Sequence, residues 1–222
     1  GLNFIAGLNG ETERSYGINM QLLESLRSEG LWIRRINIRQ VEGLGFQEIP
    51  QDTFQEFKNS VREQIDKPLL KEMFPIGTEL KGVWWEAHDD RIRRPEQVLQ
   101  KTHRDASIYG TSGITFGRQI GAYPILVGAP YQIPLETKSD IIVTGHGMRS
   151  ISGVESGLSI NTATQSQLEA IPGIGSKAAW RIVSNRAKSY RNSQEPAFSD
   201  VEEALTEVGV QSYGLASKVL KV

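Results

Sequence analysis

The sequence contains no cysteine. Disulfides, thiolate zinc sites, cysteine nucleophiles and cysteine-ligated iron–sulfur clusters are therefore excluded within these 222 residues. Histidine is scarce, and His88, His103 and His146 are too widely spaced to suggest a His-rich metal site. No apolar run approaches membrane-spanning length and no signal peptide opens the chain, so a cytoplasmic protein without membrane contact is expected. Excess charge of either sign is missing too. The formal net charge is −1, so any attraction to nucleic acid must come from local patches. An initiator Met is also lacking. The chain opens Gly1-Leu2-Asn3-Phe4-Ile5-Ala6-Gly7, inside what reads as a strand, which leads us to expect a piece cut from a longer protein.

What is present is globular: 38% of residues are hydrophobic and 23% charged, enough to bury a core. Leu2–Ala6 is a short apolar run, the pattern of a buried parallel strand. A turn at Gly7–Gly10 leads to a helix opened by Glu11, Thr12 and Glu13, with Ile18, Leu22, Leu23 and Leu26 at helical spacing. Leu31–Val41 alternates apolar and polar residues as a second strand, so the front end reads as a βαβ unit with a parallel pair. Asp52 is expected to cap a helix with Phe54, Phe57, Val61 and Ile65 on one face, interrupted at Pro68.

From Gly77 the texture changes. Runs of β-branched residues at Leu80–Trp85, Ile114–Phe116, Tyr123–Val127 and Asp140–Thr144, separated by turn residues, predict a small antiparallel barrel. The charged stretch Glu86–Asp105 reads as a solvated insertion, with a helical turn around Pro95–Gln100. The adjacent Trp84 and Trp85 should face opposite sides. From Leu158 the pattern is helical. A short helix, Gln165–Ala170, is followed by Ile171-Pro172-Gly173-Ile174-Gly175 and by a second helix from Ser176. Gly173 and Gly175 have no Cβ, so both are expected to take positive φ and let a phosphate approach main-chain N–H groups at a helix start. No acidic residue occurs from Ile171 to Gln194, whereas Lys177, Arg181, Arg186, Lys188 and Arg191 do. No pair of carboxylates, Ser/His/Asp set or ligand cluster suggests an active site, so the chain itself is expected to be catalytically inert.

Asn161-Thr162-Ala163, Leu168, Ile171–Gly175, Ala178, Trp180-Arg181-Ile182 and Arg186 resemble the helix-hairpin-helix domain of bacterial DNA-uptake proteins and their relatives. Phe198–Leu205 resembles the connector to a second hairpin, at Val208-Gly209-Val210 and Tyr213-Gly214, which departs from the pattern and should pack without gripping phosphate. The resemblance implies nucleic acid, DNA or RNA, as partner, with Gly173, Ile174, Gly175, Lys177, Arg181 and Arg186 as contacts. It also implies a K+ or Na+ ion on the carbonyls of Glu169, Ile171 and Ile174. Ile76-Gly77, Val127-Gly128, Ile141–Thr144 and Arg149–Gly153 resemble the TRAM domain, a barrel of RNA-modifying enzymes, which adds Arg118, Tyr123, His146 and Arg149 as candidate contacts. Asn3–Thr12, ending in Gly-Glu-Thr, resembles the strand-loop-helix of radical S-adenosylmethionine enzymes.

In this order the three parts resemble an archaeal group of radical SAM iron–sulfur proteins with a C-terminal helix-hairpin-helix. That resemblance implies a 4Fe–4S cluster and S-adenosylmethionine in an upstream barrel of the same protein, and none here. The expected architecture is α+β and multidomain. Residues 1–75 would end a parallel β/α barrel, 76–153 would form a small TRAM- or OB-like antiparallel barrel, and 157–222 a helix-hairpin-helix bundle. A stand-alone nucleic-acid-binding module and a protein adaptor are the alternatives.

Overall fold

The computed structural model describes residues 1–33, 35–41, 43, 50–86, 113–121, 124–147, 149–192, 196–211 and 213–222. Most of the expected charged insertion, with its helical turn, His88 and His103, lies outside the described residues, as does Tyr123. The chain divides into two compact units, Gly1–Phe74 with His146–Arg149, and Pro75–Gly145 with Ser150–Val222.

In the first unit, β1 (Leu2–Ala6) and β2 (Ile36–Gln40) pair in parallel, joined through α1 (Glu13–Ser28). The connecting loop is held by Glu11, whose Oε2 accepts from the N–H groups of Gly7 (2.6 Å) and Leu8 (3.3 Å). Gly7 and Gly10 take positive φ there. Thr12 caps α1, pairing with Ser15 in a reciprocal box. The apolar stripe expected on this helix is only partly right. Tyr16 and Leu23 are buried, but Ile18 and Leu22 are exposed, because the two-stranded sheet and following helix cover one side of α1. The core joins Ala6, Tyr16, Leu23 and Ile36 to Phe54, Phe57, Val61 and Ile65, with Tyr16 stacked on Phe57 at 4.8 Å.

The second helical stretch also departs from expectation. Helix α2 (Gln51–Val61) begins after Pro50, not at a capping Asp52, which instead sits in the first turn where the helix dipole favours an acid. Pro68 does not break the path. A π-helical turn, Arg62–Asp66, carries α2 into α3 (Lys67–Met73), where the proline lies in the first turn. The missing proline N–H leaves the Gln64 carbonyl short of a helical donor, and the Arg27 guanidinium reaches it at 3.5 Å while pairing with Glu72. The same turn brings buried Arg62 onto Asp66 and onto the Ile36 carbonyl (3.1 Å).

The second unit contains a closed barrel in the order β3-β4-β5-β7-β6. Its strands are β3 (Glu79–Glu86), β4 (Thr115–Gln119), β5 (Leu126–Ala129), β6 (Lys138–His146) and β7 (Ser150–Glu155). It is not wholly antiparallel: β5 and β7 run parallel, with Leu126 opposite Ser150. Trp85 fills the interior, fully buried, with its Nε1 donating to Ser139 Oγ at 2.7 Å, while Trp84 faces outward. Gly117 is required beneath that ring, since a Cβ there would lie 2.7 Å from Trp85 and from the Trp84 carbonyl. Near the start of β3 a bulge at Gly82, φ +64°, is pinned by Asp140, which accepts from Gly82 N–H and pairs with Lys81.

The helical module completes this unit. It comprises β8 (Leu158–Ser159), α4 (Gln165–Glu169), α5 (Ser176–Arg191), α6 (Val201–Glu207), α7 (Ala216–Val219) and β9 (Leu220–Lys221), with β8 and β9 parallel. Ile160, Leu168, Ile171, Ile182 and Leu205 are fully buried in it. Among the described residues, no helix is long and apolar enough to cross a membrane.

Two outcomes follow from buried charge. Asp66→Ala strands the Arg62 guanidinium, and urea denaturation should show a loss of about 3–5 kcal/mol. In the second unit, burial pushes the Glu155 carboxyl above its ordinary range, with hydrogen bonds to Gln167 and Ser139 acting against it. A raised acid favours the folded state when protonated, and that contribution is lost as pH rises through the folded value. Glu155→Gln should therefore melt close to the unmodified chain in acid and above it at neutral pH, as thermal scans across that range would read.

Candidate nucleic-acid interface

The hairpin is built by a sequence of local constraints. Thr164 caps α4 through the Gln167 N–H (3.2 Å), and Gln167 returns a bond to the Thr164 N–H (2.8 Å). The helix ends at Ala170, and Ile171 and Ile174 turn inward, the Ile174 N–H donating to the Ile171 carbonyl at 3.0 Å. Gly173 takes φ +99°, which a side chain would strain, and is exposed. Gly175 differs from expectation. Its φ is −78° and ψ 166°, an extended N-cap, and its lack of a side chain leaves open space where a Cβ would stand.

Helix α5 starts there without a side-chain cap, unlike α4 and α6, which Thr164 and Asp200 cap. The first N–H groups of a helix have no partner within it, so the exposed start of α5 offers donors together with the positive end of its dipole.

Successive residues of α5 advance by about 100°. One side therefore carries Ala179, Ile182 and Arg186, all buried, and the opposite side carries Lys177, Trp180, Arg181, Ser184, Lys188 and Arg191. The side chains of Lys177, Lys188 and Arg191 have no ion-pair or hydrogen-bond partner among the described residues. Arg181 is exposed and donates to the Val208 carbonyl at 3.2 Å, at the C-terminal end of α6 where the dipole favours a cation. The second hairpin, with Gly209 at φ +84°, is thus tied to the first through Arg181.

Arg186 is a correction. The sequence pattern offers it as a phosphate contact, but it is 8% exposed and donates to the Ile160 carbonyl at 3.0 Å. It lies seven positions after Ala179 and four after Ile182, both buried, a spacing that turns it to the core side. Asn161, buried, pairs both ways with Phe198: its Nδ2 donates to the Phe198 carbonyl and its Oδ1 accepts from the Phe198 N–H, each at 2.9 Å.

The other expected contacts are dispersed. Arg118 lies on β4, opposite Trp84 in the β3 register. Arg149 belongs with the first unit and donates to Asn37 Oδ1 at 3.3 Å. His146, half-buried in that unit, donates from Nε2 to the Phe74 carbonyl at 2.6 Å. Trp180 is not among the contacts that the sequence pattern suggests, although its exposure of 59% is readable from its place on the polar arc of α5.

Among the described residues, no three His, Cys, Asp or Glu side chains gather to hold a metal. The carbonyls of Glu169, Ile171 and Ile174 are main-chain oxygens, and that of Ile171 is already engaged by the Ile174 N–H.

Comparison with known proteins bears on this geometry. Residues 154–203 match the helix-hairpin-helix motif family. An uncharacterized protein of Archaeoglobus fulgidus is 34% identical over 183 residues, covering 78% of this chain and 30% of the relative. An uncharacterized protein of Methanocaldococcus jannaschii is 34% identical over 164 residues, covering 69% of this chain and 26% of the relative. The chain thus spans less than a third of the length of either. The hairpin and its flanking helices are thus the part of the chain that matches the helix-hairpin-helix motif family, in a chain that is similar to these archaeal proteins.

Proposed function

We propose that the chain binds nucleic acid through the hairpin Ile171–Gly175 and the exposed face of α5. The observation that carries this reading is the position of Lys177, Arg181, Lys188 and Arg191 on one exposed, acid-free helix face that begins at the uncapped turn after Gly175. Main-chain N–H groups at that turn suit a phosphate, Lys177 stands beside it, and Lys188 and Arg191 continue the charge along the helix. Gly173 keeps the approach free of side chains. A K+ or Na+ ion on the carbonyls of Glu169, Ile171 and Ile174 belongs to the same proposal, since main-chain oxygens suit a hard cation and Ile171 has a second lone pair. Such an ion would add positive charge behind the phosphate site.

The wider context is also part of the proposal. We place this chain at the end of a radical S-adenosylmethionine protein, whose 4Fe–4S cluster and cofactor would lie outside these residues. Support comes only from the order of the three parts and from Gly10-Glu11-Thr12. Locally, Glu11 serves to hold the loop between β1 and α1.

Fluorescence anisotropy with a short duplex DNA at low salt should show binding that weakens steeply as salt is added. Lys177→Glu together with Lys188→Glu should weaken it strongly and flatten the salt slope by about one unit for each phosphate no longer neutralised. Unchanged binding in that double variant would show that this face does not touch the nucleic acid. Absence of binding at low salt would favour a protein-adaptor role. Arg186→Ala, by contrast, should lower the melting temperature and leave the salt slope as it was.

A further inference from the structure

Beside the hairpin, α5 and the C-terminal end of α6 enclose an open groove of about 560 Å³. Its floor and walls include Trp180, Ser184, Lys188 and Arg191 from α5 and Glu207 and Val208 from α6. The Trp180 indole is 59% exposed, the more exposed of the two aromatic rings that α5 shows to solvent, the other being Tyr190. The phosphate grip makes no use of it.

We infer that this groove takes an unpaired nucleobase, stacked on Trp180, so that the module prefers single-stranded nucleic acid. This inference rests on the proposed nucleic-acid function and specifies its substrate class. Three features of the groove support it. First, an indole presents a flat face on which any base can stack, and such stacking is tolerant of sequence. Second, the cations beside Trp180 are spaced along one line: Lys177 precedes it by three residues, Lys188 follows by eight and Arg191 by eleven, so all fall on its side of the helix. A backbone following that line from the hairpin would place its bases over the indole. Third, the wall is polar and its groups are held by hydrogen bonds. The Asn185 Nδ2 donates to Glu207 Oε1 at 2.9 Å, and Arg181 is held by the Val208 carbonyl. These contacts fix groups that can hydrogen-bond a base edge, and the volume lies within the range of about 300–1,000 Å³ usual for small-ligand sites. A duplex, whose bases are already stacked and paired, has nothing to offer the indole.

Four fluorescein-labelled probes of equal length separate the possibilities when titrated with the full chain at low salt: a single-stranded DNA, the same RNA, the duplex, and an abasic phosphodiester strand. Trp180→Ala should weaken both base-bearing single strands by about tenfold and leave the duplex and the abasic strand unchanged. Trp180→Phe, which keeps an aromatic face, should retain most of the affinity. Circular dichroism should confirm that both variants fold, as expected for so exposed a residue. If Trp180→Ala leaves the single strands unchanged while Lys177→Glu with Lys188→Glu weakens every probe, the phosphate grip stands and the base site is overturned. If no probe binds at low salt, both readings fall.

Discussion

The helical module depends on how firmly the main chain at Ile160–Asn161 is fastened. Bonds from three other segments converge there. The Ile160 N–H donates to the Lys221 carbonyl, and Arg186 donates to the Ile160 carbonyl. Tyr190 donates to the Asn161 carbonyl, and the Asn161 side chain pairs in both directions with Phe198. A buried main-chain group without a partner is costly, so replacing any one of these donors leaves the others working against an unsatisfied acceptor. This fastening joins the segment before α4, the C-terminal half of α5, the connector before α6 and the strand after α7. The spatial relation between the two hairpins follows from it.

The fastening also explains why one face of α5 is free to carry charge. Burial of Ala179, Ile182 and Arg186 fixes the rotation of the helix, which turns Lys177, Lys188 and Arg191 outward. The acids nearest this helix lie on another element: α6 carries Glu202, Glu203 and Glu207 and no base, and of these Glu207 borders the groove beside α5. A chain with a net charge of −1 thereby presents a locally positive surface, and at physiological ionic strength charges farther apart than about 8 Å are largely screened. The local arrangement therefore outweighs the total.

Much of this is legible in the residues. Periodicity and glycine placement locate the hairpin and both of its flanking helices within a residue or two, because Pro172-Gly173 and the capping Thr164 act through neighbours in sequence. Strand β1 follows from its short apolar run, although only Ala6 of it is buried, and the opposed faces of Trp84 and Trp85 follow from period-two alternation. The departures have a common physical character. Arg186 carries the same charge as Lys188, and only its angle on a helix whose buried side is set by distant Ile160 decides that it points inward. Ile18 and Leu22 look like core but are exposed among the described residues. Strand β7, Ser150–Glu155, is hard to see in the sequence because its alternation is diluted by Gly153, which is there to make room for Ile141. At Pro68 the sequence signals a break, yet a π-helical turn and a guanidinium from another helix carry the path across it.

The parallel pairing of β5 with β7 has a consequence for the order of events in folding. The antiparallel neighbours β4 and β5 can meet through the short segment between them. The β5–β7 ladder instead joins Leu126–Gly128 to Ser150–Ser152, and so waits for β6 to be laid down and turned back. Pairings that close a longer loop carry a greater entropic cost before any contact rewards it. The pairing of β3 with β6, which sets Glu79 opposite Ile142 and Trp84 opposite Lys138, spans a longer stretch of chain still, so that seam is where the barrel shuts last. Until it does, both edges present unpaired main-chain groups to any other strand in reach.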